Sequence, residues 1–493
     1  MKAIQFILAV LVSALFLGCK YDTVGIVSTY PDNIAKIVVP QCATAGCHNT
    51  VSAPGASGLD MTSMQTLFVG NNSGAEVIPY STEFSPMMFF CNPYNDLGTI
   101  HIPPQMPYNL PALSHDQVQQ LYDWITAGAP DKDGKIMFSD DPNRMKYYVV
   151  NQGCDEVAVF DAQAKVIMRY VSVGANPNQI EAPHQIRISP DGQYWYVMFL
   201  QAPLLQKFRT SDDQLVGSVQ LGPSSSWFYN TMCMTSDGKF GYIISMENPG
   251  GKIAYVNLET MQFQFYIGGG PSDLYLPHGS YLTKDNKTLY VTAQSGNFIY
   301  KIDVTNPALY NISKVVLQPG QAWSQVSSLD VHEVRFTPDE SEYFVTCQKS
   351  NELRILQTSN DSLLTAIQLG PGSFPQEIAV DSVHHLLYVS CQEGPAINGW
   401  KGGIAIINYQ NNTLVKILTQ GLYQPHGMAV DEDKQRVYVA SLDYSTTGPA
   451  PHHVGSCGGR NGYVNIIDMN TQDFLPGYKN EVLPFPYWVE YRH

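Results

Sequence analysis

Pro183-His184-Gln185-Ile186-Arg187-Ile188-Ser189-Pro190-Asp191-Gly192, with Trp195-Tyr196-Val197 close behind, decides the architecture. It reads as a short apolar strand, a turn at the Asp-Gly step, and a second strand rich in aromatic and β-branched residues. The same phase returns at Pro277-His278-Gly279 running to Lys284-Asp285-Asn286, and at Val331-His332-Glu333 with Pro338-Asp339-Glu340. It returns again at Pro375-Gln376-Glu377 and at Pro425-His426-Gly427, and a degenerate copy runs from Asn230 to Asp237-Gly238. Tyr290-Val291, Tyr388-Val389 and Tyr438-Val439 repeat the second strand. A period of about 45 to 50 residues is that of a propeller, in which each repeat builds one blade.

Strands read as the outer ones fall near Ala158, Lys207, Ala254, Tyr300, Ile355, Ala405 and Asn465, which gives seven blades. Only six inner-strand heads lie between them, because the first unit begins part-way through, at about Met145. The tail from Pro484 to Tyr491 has the composition to supply the missing strand and leave the ring without an exposed edge. Residues 145–493 are therefore expected to form an all-β, seven-bladed propeller. The repeat resembles the YVTN-type propellers of surface-layer and lactonase-like proteins. That resemblance speaks to fold and not to chemistry.

Equivalent positions on different blades converge on a propeller's axis. His184, Asn230, His278, His332, Gln376 and His426 share one phase, so four histidines would meet at one channel mouth. Such a ring has the donors for a metal ion or a tetrapyrrole; it also suits imidazoles that merely tie neighbouring blades together. Nitrous oxide reductase and the cytochrome cd-type nitrite reductases resemble this plan, the first in its channel histidines and the second in its domain order. The resemblance thins at the blade count, since the nitrite reductase propeller has eight, and no cupredoxin segment is visible here. His452 and His453, in a Gly/Pro-rich insertion ending at Cys457, read as loop residues.

Ahead of the repeats stands Cys42-Ala43-Thr44-Ala45-Gly46-Cys47-His48. Two thiols followed by a histidine are what covalent haem attachment needs: two thioether bonds and an adjacent ligand to iron. Four residues between the cysteines is a rare spacing. The stretch resembles the single-haem cytochrome c domains of bacterial envelope proteins, where it follows a short helix. The resemblance implies one haem c, with Cys42 and Cys47 as thioether cysteines and His48 as proximal ligand. It also implies a small all-α domain over residues 30–132. A zinc site or a disulfide is the competing reading, and no second Cys/His pair at finger spacing follows.

Pro104-Gln105-Met106-Pro107 supplies Met106 as the expected second axial ligand, with His101 the alternative and Met87 or Met88 behind it. Ser114 and Gln117 form a capping box for a helix that buries Val118, Leu121, Trp124 and Ile125 and stops at Gly128. A methionine ligand would hold the potential above that of a second histidine.

Residues 1–19 read as an address. Lys2 precedes an apolar run from Ile4 to Leu17, and Leu15-Phe16-Leu17-Gly18-Cys19 resembles a bacterial lipoprotein processing site with Cys19 as the lipidated residue. Phe16 departs from that pattern. The expectation is a protein of the cell envelope, outside the cytoplasm, held to the membrane by a lipid anchor only.

A net charge of -15, from 28 Lys plus Arg against 43 Asp plus Glu, repels nucleic acid. With Cys19, Cys42 and Cys47 assigned, Cys91, Cys154, Cys233, Cys347, Cys391 and Cys457 remain, with pairing open. Three functions compete. One is an electron-transfer cytochrome with the propeller as docking platform for a redox partner protein. Another is an oxidoreductase fed by the haem, with a metal or second tetrapyrrole at the histidine ring. The third is a surface ligand-binding propeller. No Ser/His/Asp or paired-carboxylate arrangement stands at a blade-phase position, so a hydrolase is not expected.

Overall fold

The structure is a computed structural model. It describes residues 29–222, 228–247, 250–270, 272–397, 399–443 and 457–492. Cys19 and the export segment, His452 and His453 lie outside the described residues.

Seven antiparallel sheets are present among the described residues, and they form a seven-bladed propeller. The innermost strands are Pro183–Ile188, Tyr229–Met234, Pro277–Leu282, Val331–Phe336, Pro375–Asp381, Pro425–Asp431 and Pro486–Tyr491. The last of these pairs with Lys146–Asn151, so one blade takes its inner strand from residues 486–491 and its other three from residues 146–172. One assignment is corrected. The strands around Ala158, Lys207 and their equivalents are third in each sheet, and a further strand lies outside them, such as Val166–Ser172 or Leu215–Gln220. Leu215–Gln220 is exposed or half-buried throughout and Val166–Ser172 is buried only in its first half, whereas the third strands are buried almost end to end.

The Tyr-Val signature has a packing cause. Tyr148, Tyr196, Tyr242, Tyr290, Phe344, Tyr388 and Tyr438 occupy one position of the second strand, each no more than 1 % exposed. Several hydroxyls are bonded inside: Tyr148 donates to Asp213 (3.1 Å) and Tyr438 to Asp431 (2.7 Å). Buried phenols need such partners. Asp213 also receives the Lys146 ammonium at 2.8 Å and the Trp195 indole N–H at 3.2 Å, which ties two adjacent blades.

Ahead of the propeller come four α-helices among the described residues: α1 (Asp32–Gln41), α2 (Met64–Leu67), α3 (Pro86–Cys91) and α4 (His115–Thr126). Turns and irregular backbone join these short helices and make up most of residues 30–132. Nor does this segment enclose a private core. One apolar cluster runs from Tyr30, Ile34 and Trp124 through Phe138 to Trp195, Phe208 and Trp488. Phe68 meets Phe138 edge-on at 5.9 Å, and Phe84 packs on Tyr170 at 4.7 Å.

Candidate functional site

The first candidate lies in the helical segment. α1 buries Ile34, Ile37 and Val38 and ends at Cys42, whose N–H donates to Val38 O at 2.9 Å. The chain then curls back: Cys47 N–H donates to Thr44 O (3.1 Å) and His48 N–H to Cys42 O (3.0 Å). Gly46 sits in this curl at φ 84°, a left-handed conformation that favours glycine. Met61 N–H then pins His48 O at 2.8 Å. From the far side, Met106 N–H and the Gln105 side-chain amide both donate to Phe90 O, at 2.8 and 2.9 Å, fixing the methionine loop to the end of α3.

These pieces wall one cavity of about 790 Å³, lined by Cys42, His48, Met87, Cys91 and Met106 together with Leu59, Met61 and Phe90. Cys42 and Cys47 are both free thiols. Burial, with Glu76 and Cys47 adding to it, pushes the Cys42 thiol up to about 12. Burial holds the His48 imidazole below its ordinary range, partly offset by the Leu59 backbone. Its Nδ1 is buried with no hydrogen-bond partner among the described residues. A mostly apolar cleft with a few convergent polar atoms is the usual form of a cofactor site.

His101, the alternative axial residue, stands apart. It is exposed, its Nδ1 bonds Asn92 O at 2.6 Å and its Nε2 bonds Asn95 at 2.9 Å. Met88 lines a different cleft, with Asn92 and Tyr122. α4 has the capping box between Ser114 and Gln117, buries Val118, Leu121, Trp124 and Ile125, and packs on α1.

The second candidate is the propeller axis. Every innermost strand is preceded by a non-glycine residue in the left-handed region: Ala182, Phe228, Leu276, Asp330, Phe374, Gln424 and Phe485, with φ between 39° and 73°. Such residues are uncommon, and seven at one phase are a built feature. In each blade the ladder is then irregular at the next residues, as between Pro183 and Gln185 or Pro375 and Ile378. The head residues that result are His184, Asn230, His278, His332, Gln376, His426 and Tyr487.

Their rings form a chain. Centroids are 6.5 Å apart for His184 and His278, 4.0 Å for His278 and His332, and 6.3 Å for His332 and His426. Tyr487 closes it, 3.8 Å from His426 and 4.3 Å from His184. All four histidines are 5 % exposed or less. Burial pushes His278 down to about 4 and His426 to about 3, with further imidazoles lowering His426, while His184 and His332 fall well below the usual range for the same reasons. The rings are therefore neutral near pH 7.

Sequence reasoning missed two members. Tyr487 heads the strand supplied by the tail, where a Pro-Tyr step stands in place of Pro-His. Glu377 follows Gln376, and the irregular ladder leaves both buried at 3 % exposure. Glu377 Oε1 lies 3.7 Å from His332 Nε2, and the Pro375-Gln376-Glu377 step was the only signal that could have found it.

The remaining cysteines divide. Cys154 and Cys457 form a disulfide across 303 residues, the one bridge among the described residues. Cys233, Cys347 and Cys391 are buried free thiols that fill positions within the blades.

No protein-family model matches this sequence, and no curated protein matches it. Solved structures share the fold. A proposed 6-phosphogluconolactonase from Bacteroides uniformis superposes with a TM-score of 0.53 at 14% identity, over 71% of this chain and 99% of its own. A functionally unknown protein from Desulfotomaculum acetoxidans gives 0.50 at 16%, over 69% and 99%. Hydrazine synthase of Kuenenia stuttgartiensis gives 0.47 at 15%, over 61% and 93%. At such identities the likeness is one of fold alone.

Proposed function

We propose that this chain is a haem-bearing electron-transfer protein of the bacterial cell envelope. Cys42 and Cys47 would carry one haem c, and His48 and Met106 would ligate its iron. The propeller serves as the platform on which a redox partner protein docks. The observation that carries this reading is convergence: the Cys42–His48 curl and the Met106 loop, far apart in sequence, face one largely apolar cavity.

The residues fit the group. Both cysteines are unbridged, the His48 Nδ1 is buried without a partner, and Leu59, Met61, Met87 and Phe90 supply apolar walls. A haem held there supplies a one-electron carrier. The chain's own residues bind it, keep water from it and, through Met106 and the low polarity of the walls, hold its potential up. His101, with both ring nitrogens already engaged, does not compete.

Export and lipid anchoring at Cys19 complete the proposal. The Cys154–Cys457 disulfide suits an oxidising compartment outside the cytoplasm. No helix among the described residues is long and apolar enough to cross a membrane. An acidic chain of net charge -15 suits a basic partner.

The test is the pyridine haemochrome spectrum of protein denatured after expression with a cytochrome maturation system. Covalent haem in the wild type, and its loss on denaturation from the double variant Cys42→Ser, Cys47→Ser, is the expected result. A correctly exported but colourless wild type, or a variant that keeps its full covalent haem, overturns the reading.

A further inference from the structure

We propose that His332, His426 and Glu377 bind a divalent first-row transition metal ion on the propeller axis, zinc being the reference case. This site is separate from the cavity at Cys42 and does not rest on the haem reading.

The donor atoms of these three residues lie within 4.8 Å of one another, and all three side chains are buried. His332 is the centre of the case. At 3 % exposure neither of its ring nitrogens has a hydrogen-bond partner among the described residues, and its closest charged neighbour is the Glu377 carboxylate at 3.7 Å. Native interiors rarely leave both nitrogens of a buried imidazole unpaired. Glu377 Oε2 makes no hydrogen bond among the described residues and has the Arg335 guanidinium 3.8 Å away. His278, with its ring 4.0 Å from that of His332 and its Nδ1 unpaired, is the nearest further imidazole. His426 Nδ1 lies 3.2 Å from Tyr487 O, which leaves its Nε2 for a ligand, and His184, whose Nδ1 lies 2.8 Å from the Gln152 amide, stands outside the donor cluster.

Among the described residues, Glu333, Glu377 and Glu490 stand beside Arg187 and Arg335. Arg335 contacts Glu333 directly and lies 3.8 Å from Glu377, and Arg187 pairs with Glu490 at 3.4 Å. Three carboxylates thus share two guanidiniums, and Glu377 is the one that faces His332. A divalent cation takes the unpaired nitrogen of His332 and displaces any proton held on the Glu377 carboxyl. Imidazole with one carboxylate is a donor set suited to zinc, copper, nickel or iron(II). Of the three, Glu377 also lines a solvent-open cleft with Arg187, Arg335 and Glu490.

The test uses the full chain, with metals measured by mass spectrometry and covalent haem iron subtracted from the haemochrome value. The chelator-stripped protein is then titrated with zinc chloride by calorimetry. Expected are roughly one equivalent of non-haem metal as isolated and a one-site zinc isotherm. Affinity should fall at least about tenfold in both His332→Gln and Glu377→Gln, and stay unchanged in Gln376→Ala, a ring residue outside the donor set. A stripped wild type that takes up no zinc, cobalt or copper at micromolar concentration overturns the proposal, and so does binding that both variants retain. Should the variants fail to fold, the wild-type titration decides alone. Because haem and metal are counted separately in one sample, failure of this site and failure of the haem reading are distinguishable.

Discussion

A single carboxylate shows how closely the helical segment and the propeller share their electrostatics. Glu156, beside the Cys154 turn, receives the Ser172 hydroxyl at 2.7 Å, while its second oxygen is buried without a partner among the described residues. Burial pushes its carboxyl up to about 7, with Ser172 opposing the shift and Glu83 and Asp155 adding to it. An unfolded chain releases that proton near 4.5. Between the two values the folded state holds a proton the unfolded state has lost, so Glu156 favours folding fully below about 4.5, and that contribution disappears as pH rises through about 7. Glu156→Gln keeps the neutral form at every pH. Denaturant melts should therefore show the variant more stable than wild type at pH 8, by on the order of 2 kcal/mol, and equal to it at pH 4. An equal shift at both values would mean that packing, not ionisation, governs the site.

Among elements, the loop that carries Met106 is the one whose chemistry can be read separately. Redox titration of Met106→Ala should give a lower potential, or a sixth position open to added imidazole, while His101→Ala leaves the potential where it was. The reverse pattern would move the ligand to His101. The Ser114/Gln117 box and the Val118–Ile125 face of α4 were plain in the chain because cap chemistry and helical period are local signals. The blade heads were legible for the same reason, since Pro-His recurs at a fixed phase. The axis itself was not. A left-handed residue ahead of each inner strand and an irregular ladder after it bury consecutive residues together, and the two-residue period of a strand cannot announce that. Glu377 was hidden by this device, and Tyr487 by lying in a tail that breaks the repeat. The irregular chain between α1 and α4 was hidden too, because its order comes from distant contacts, such as Phe84 on Tyr170 of the propeller and Phe68 on Phe138 of the connecting segment.

At the scale of the whole molecule, two fastenings join distant parts of the chain. Residues 486–491 lie against residues 147–151, and Arg492 reaches back to Gly192 O at 3.1 Å and Pro142 O at 3.0 Å. The Cys154–Cys457 bridge adds a covalent tie across the same closure. Cys457→Ser should lower stability by about 2–4 kcal/mol in chemical denaturation, and wild type kept in reductant should match it. A variant as stable as oxidised wild type would show that strand pairing alone holds the ring. Burial at Cys42 has a consequence for assembly. Its thiol is held in the unreactive protonated form, within an apolar cluster that runs on into the propeller. A group joined to that sulfur is added most readily before folding is finished, while water still reaches the thiol and lets it ionise.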